Sequence, residues 1–93
     1  MSEDLDRAIR AAAAVLKEEG AREVYLFGSL AKGRERPGSD IDLAVSGLPP
    51  ERFFPALGRA HEAAGIEVDL IDLDEDTIFV RFIRERGGLR LVA

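Results

Sequence analysis

From Asp40 to Val45 the chain alternates along an extended strand. Ile41, Leu43 and Val45 fall on one side and Asp40, Asp42 and Ala44 on the other. Such a strand can bury one face in a core while the other presents two acids. Upstream, the continuous apolar run Val24-Tyr25-Leu26-Phe27 closes on Gly28-Ser29, and ten residues separate that turn from Asp40. A third acid, Asp69, sits within the strand-like run Ile66 to Ile71, where a purely structural role has little use for an ionised side chain. Three carboxylates and one Gly-Ser turn point to phosphate and divalent-metal chemistry, the combination that nucleotide substrates require.

The rest of the chain supplies helices around these strands. Ser2 is placed to cap a first helix whose opening turn carries Glu3, Asp4 and Asp6. Leu5, Ile9, Ala12 and Leu16 give it an apolar stripe, and Gly20 stops it. Leu30 to Lys32 can form one helical turn, followed by an exposed loop over Gly33 to Ser39. After a turn at Gly47 to Pro50, Pro55 marks the first full turn of a second helix that ends before Gly65. Asp72 or Asp74 caps a third helix, Asp72 and Glu75 having capping-box spacing. Ile78, Phe79, Phe82 and Ile83 form its apolar face, Gly87-Gly88 ends it, and Leu89 to Val92 can add a short edge strand. The expected class is α/β (α+β), a small mixed sheet flanked by helices in the order α-β-β-α-β-α, as one domain over residues 1–93.

Composition narrows the partners. A formal net charge of -5 argues against a non-specific nucleic-acid binder, which needs a basic face. A nucleotide's charge can instead be met locally by magnesium and by Lys32, Arg34 and Arg36, clustered between the motif halves. Without cysteine there is neither a disulfide nor a thiolate metal site. No apolar run is long enough for a membrane span, and the acidic N-terminus does not read as a signal peptide, so a cytoplasmic location is expected.

Each motif has a physical reason. Side chains two apart on a strand share a face at about 7 Å. Asp40 and Asp42 can therefore hold one hard cation and reach a second, as in two-metal sites that clamp both oxygens of an in-line displacement. Asp69 on a neighbouring strand would complete that site. Gly28 lets phosphate oxygens approach the backbone, Ser29 adds a hydroxyl donor, and Lys32 or Arg34 can neutralise a departing pyrophosphate.

The stretch from Gly28-Ser29 to Asp40-Ile41-Asp42, with Asp69 following, resembles the nucleotidyltransferase superfamily of DNA polymerase β. The form G-S-L-A-K-G-R…G-S-D-I-D-L is similar to its minimal nucleotidyltransferase branch, the MntA-type antitoxins that pair with HEPN-domain toxins. The resemblance spans Val24 to Ile71. It implies the nucleotidyltransferase fold, ATP or another NTP as donor and two Mg²⁺ ions. It also implies transfer of AMP to a partner tyrosine. By position, Asp40, Asp42 and Asp69 are the catalytic and metal-binding acids, and Gly28, Ser29, Lys32, Arg34 and Ser39 bind the donor. Lys32 stands where relatives often carry Arg, a point charge in place of a planar fork. Homo- or hetero-oligomers are compatible with this reading.

Other residues read as structural. His61 falls at the solvent edge of the second helix, Tyr25 in the core and Glu67 at a solvated strand start. Arg81, Arg84, Arg86 and Arg90 form a solvated or partner-facing surface. Two further functional classes fit the same chain: a module that neutralises a partner by contact alone, and a transferase for small molecules.

Overall fold

A computed structural model describes residues 3–28 and 41–93. Their order is α1 (Glu3–Glu18), β1 (Glu23–Leu26), β2 (Ile41–Ser46), a 3₁₀ turn (Pro50–Arg52), α2 (Phe53–Ala64), β3 (Val68–Asp72), α3 (Ile78–Arg86) and β4 (Arg90–Leu91). This is the expected order with its short last strand. Ser2, the expected turn at Leu30 to Lys32 and the loop from Gly33 to Ser39 lie outside the described residues.

α1 forms because its apolar residues recur at helical spacing; Ala8, Ile9, Ala12, Ala13 and Leu16 are buried. It ends in a Schellman motif. Gly20, at φ 116°, donates its N–H to the Lys17 carbonyl, and the Ala21 N–H reaches back to Leu16. α2 stops at Gly65, whose φ of 72° only glycine adopts without strain. Arg59 of α2 pairs with both Glu18 and Glu19 at 2.9 Å, tying the two helices together at the surface.

The sheet is mixed, in the order β3-β2-β1-β4. β1 pairs antiparallel with β2 and β4, and β2 pairs parallel with β3 through the α2 crossover. Strand alternation gives the two faces different work. Val24 and Leu26 of β1, Ile41, Leu43 and Val45 of β2 and Val68 of β3 pack with α1 and α2 in the main core. Ala44 meets Val80 of α3 and the buried Leu73 on the other face, with Tyr25, Phe27, Ile71 and Leu89 packed around them. Tyr25 is thus half-buried beneath α3 and lies outside the main core.

α3 departs from its expected start and phase. Its N-cap is Thr77, whose hydroxyl accepts the Val80 N–H at 3.1 Å. Asp72 instead ends β3 and accepts the Asp74 N–H at 2.9 Å, while Asp74 accepts the Gly47 N–H at 2.7 Å. Both carboxylates hold turns that carry the chain off the sheet edge, so neither reaches the helix. Docking on the sheet selects a different side of the helix from the expected one: Val80 joins Ile83 in being buried, while Ile78 is 87% exposed and Phe79 and Phe82 about half exposed, at 51% and 52%.

Candidate active site

The three strands bring one row of residues together on the α3 face. The Phe27 N–H donates to the Asp42 carbonyl at 3.0 Å, setting the end of β1 beside the start of β2. Asp42 is in turn the direct partner of Asp69 in the parallel β2–β3 register. Phe27, Asp42 and Asp69 therefore follow one another across adjacent strands, each about 4.8 Å from the next. α3 covers the row behind them, Tyr25 to Ala44 to Ile71, and leaves Asp42 half-buried and Asp69 exposed. Both carboxylates keep access to water, which spares them the desolvation cost of a covered sheet face.

Gly28 closes the row. Its φ is +77°, and a Cβ built on it would stand 2.6 Å from Oδ2 of Asp42. A side chain at this position would collide with the carboxylate; glycine leaves room for it and keeps the backbone of the turn bare. Two neighbouring carboxylates supply the hard oxygen donors that Mg²⁺ takes, beside backbone open to phosphate, so the residues fit a divalent ion with a phosphorylated ligand. Among the described residues no group of three or more potential metal ligands is gathered, so the described part of the site is the Asp42–Asp69 pair. Asp40, Ser29, Lys32, Arg34 and Ser39 lie outside the described residues.

A cleft of about 390 Å³ opens on the other side of Gly28, lined by Phe27, Gly28, Phe79, Phe82, Ile83, Arg86 and Gly88. The rings of Phe27 and Phe79 meet edge to face, with centroids 6.2 Å apart at 71°. The Arg86 guanidinium lies 4.8 Å over the Phe82 ring. The sequence reading assigned Phe79 and Phe82 to a core-facing stripe and so missed this cleft. Thr77 marks where the helix begins but not which of its apolar residues turn inward, so no local signal separated Val80 from Phe79 and Phe82.

The remaining residues fall where a structural role puts them. His61 and Glu67 are exposed. Arg81 forms an ion pair with Asp76 at 2.7 Å and Arg84 donates to the Leu73 carbonyl at 3.0 Å, so both tie α3 to the segment that leads into it. The Tyr25 phenol is held above its ordinary pKa, first by burial and then by its hydrogen bond to Glu23. Among the described residues no helix is long and apolar enough to cross a membrane.

Comparison with known proteins identifies the fold. The sequence profile described as "Polymerase beta, Nucleotidyltransferase" matches residues 11–89. Among solved structures, one described as a putative minimal nucleotidyltransferase superposes with a TM-score of 0.72 at 25% identity, covering 100% of this chain and 96% of its own. A toxin-antitoxin structure with AMP-PNP gives 0.69 at 24% identity, over 92% of this chain and 70% of that one. A mutant of the toxin-antitoxin MntA-HpeT gives 0.66 at 25% identity, over 86% and 67%. No curated protein gives a significant match.

Proposed function

Because the chain belongs to the polymerase β nucleotidyltransferase family, we propose that it transfers a nucleoside monophosphate, AMP from ATP foremost, to a hydroxyl acceptor. The acceptor in this reading is a tyrosine of a HEPN-type toxin, which the transfer silences, making the chain an antitoxin. Residues 1–93 act as one minimal nucleotidyltransferase domain in the cytoplasm, in complex with that toxin. The observation that carries the proposal is the register of Asp42 against Asp69 with Gly28 packed on the Asp42 carboxylate. The likeness to toxin-antitoxin structures, one of them with AMP-PNP, supports the choice of partner and donor.

Asp42 and Asp69, joined by Asp40, would hold the divalent ions. When bound, Mg²⁺ neutralises triphosphate charge and lowers the pKa of the acceptor hydroxyl. The chain's own groups do the positioning. Gly28 admits the triphosphate to the backbone and Ser29 and Ser39 donate to it, while Lys32 and Arg34 balance its charge. Asp69, exposed on the β3 side, faces the acceptor, orients its hydroxyl and takes the proton on a carboxylate oxygen. The acceptor oxygen bonds to the α-phosphorus, the bond from that phosphorus to the β-phosphate bridging oxygen breaks, and pyrophosphate leaves.

Intact-mass measurement of a co-expressed toxin partner tests this. Added AMP units with the native chain, and none with Asp42→Asn of unchanged far-UV CD, are expected. Silencing of the partner with no change in its mass would replace the enzyme by a contact-only module.

A further inference from the structure

The cleft beside Gly28 is built unlike the rest of the surface. Phe79, Phe82, Ile83 and Arg86 recur along α3 at spacings that stack them on one stripe, and that stripe walls the cleft while Phe27 lies across from it. Val80 and Ile83 already bury this helix against the sheet. Phe79 meets Phe27 by its edge and Phe82 lies under Arg86, yet each ring keeps about half its surface in water, which is unfavourable. Gly28 and Gly88 contribute no side chains, which keeps the opening wide enough for a flat ring. The volume, about 390 Å³, is within the range of small-ligand sites, roughly 300 to 1,000 Å³.

Its place in the row supplies the identity of the occupant. Gly28 both lines the cleft and abuts Asp42, so a triphosphate laid over Gly28 carries its nucleoside to the cleft mouth. The geometry points to this cleft as the pocket for the nucleobase of the donor, held by stacking on Phe79 and Phe82 with Arg86 as the polar contact. The inference rests on the nucleotidyltransferase reading above and adds to it where the base goes and how it is read. Base stacking on aromatic rings is indifferent to base identity, because every base has a π face. Arg86, the charged side chain among those lining the cleft, offers donors and no acceptor. Its N–H groups can meet an acceptor on any of the bases, and guanine alone offers the adjacent O6 and N7 acceptors that an arginine takes as a pair. The donor site therefore reads the presence of a base more than its identity, with guanine the one base to which Arg86 can add a second hydrogen bond.

Calorimetric titration of the full chain with MgATP, MgGTP, MgCTP and magnesium tripolyphosphate tests the assignment. Phe82→Ala should weaken MgATP by roughly 10- to 100-fold, the loss of one stacked base, and leave tripolyphosphate binding unchanged. Phe82→Trp should retain or tighten MgATP. Because Phe82 is half exposed, both variants should keep the native melting curve. MgCTP should bind comparably to MgATP, and MgGTP at least as tightly. Unchanged MgATP affinity in Phe82→Ala overturns the cleft assignment, as does equal weakening of MgATP and tripolyphosphate. Loss of a co-purifying protein partner with MgATP affinity intact would make the cleft a protein-docking surface and overturn it too. If the native chain binds neither MgATP nor tripolyphosphate, the donor-site reading itself fails, and the inference with it.

Discussion

Two glycines allow the demands of the site to be separated from the demands of the backbone. Gly28 and Gly65 have nearly the same φ, +77° and +72°, but a Cβ at Gly65 meets nothing within 4 Å, whereas at Gly28 it stands 2.6 Å from Oδ2 of Asp42. Alanine at either position incurs left-handed strain of about 1–2 kcal/mol. A stiffer unfolded chain returns about 0.4–1 kcal/mol of that. A net loss near 1 kcal/mol lowers Tm by roughly 4–8 °C in a domain of this size. Gly65→Ala should show that loss and no more. In Gly28→Ala the carboxylate must also retreat from 2.6 Å to the 3.4 Å of ordinary contact, a movement of about 0.8 Å. A misplacement near 1 Å in a positioned catalytic group costs on the order of 100-fold in rate. Gly28→Ala should therefore lose about that factor in AMP transfer, followed as the time course of partner mass, while its Tm falls by an amount similar to Gly65→Ala. Equal transfer rates in the two variants would refute the argument, because the strain they share would then be the whole effect.

Three further outcomes follow from single contacts. Asp69→Asn removes one of two like charges set side by side in register, so without metal it should melt at or above the native temperature, a gain of roughly 0.2–1 kcal/mol, while transfer is lost; a clearly lower Tm would mean that the carboxylate stabilises the fold. Thr77→Ala removes the cap on Val80 and should cost about 1 kcal/mol, or roughly 4–8 °C in Tm, with Thr77→Ser recovering most of it. Tyr25 is the sole tyrosine, so phenolate absorbance reports it alone. Burial first and Glu23 second raise its pKa in the folded state, so the stabilisation is complete below the ordinary value of 10.0 and fades as pH rises through the folded pKa. The native chain should titrate above 10.0 and return to it in urea, with Glu23→Gln lying between; a native midpoint at or below 10.0 would contradict the assigned environment.

How much of this was legible depended on which interactions are local. The alternation through Ile41, Asp42 and Leu43 fixed both the strand and the face carrying the acid, because pleating is a property of the strand itself. The helix stops at Gly20 and Gly65 were legible for the same reason. That Asp69 would lie opposite Asp42 was not, since parallel register is settled through a crossover by matching Val68 to Ile41 and Leu70 to Leu43 across the core face. A slip of one residue would have turned the carboxylate into the core. The inward face of α3 was misread because apolar residues lie on more than one side of that helix and only docking on the sheet selects Val80 with Ile83; its start was misread because two acids, Asp72 and Asp74, offered capping spacing before Thr77. Their carboxylates were already taken by the Asp74 and Gly47 N–H groups, a competition between turn and cap that only the folded chain resolves.

The row from the cleft to β3 collects features that are each unfavourable in isolation. Asp42 and Asp69 are like charges in direct register, Gly28 holds a left-handed turn against a carboxylate, and Phe79 and Phe82 stand half in water beside a helix already packed by Val80 and Ile83. Departures of this kind cluster where a sequence is constrained by something other than its own fold. The magnesium-bound nucleoside triphosphate proposed above would answer all of them together: the cation would relieve the paired charges, the phosphates would lie along the bare backbone of the turn, and the base would cover the rings. Phe54 provides the contrast. It is 78% exposed at the start of α2, a helix of the opposite layer, and meets only the neighbouring Phe53 ring among recorded aromatic contacts of the described residues. A lone exposed ring of that sort is ordinary on a protein surface. What distinguishes the other face is that charge, backbone and aromatic anomalies adjoin one another in an order that matches the parts of a single ligand.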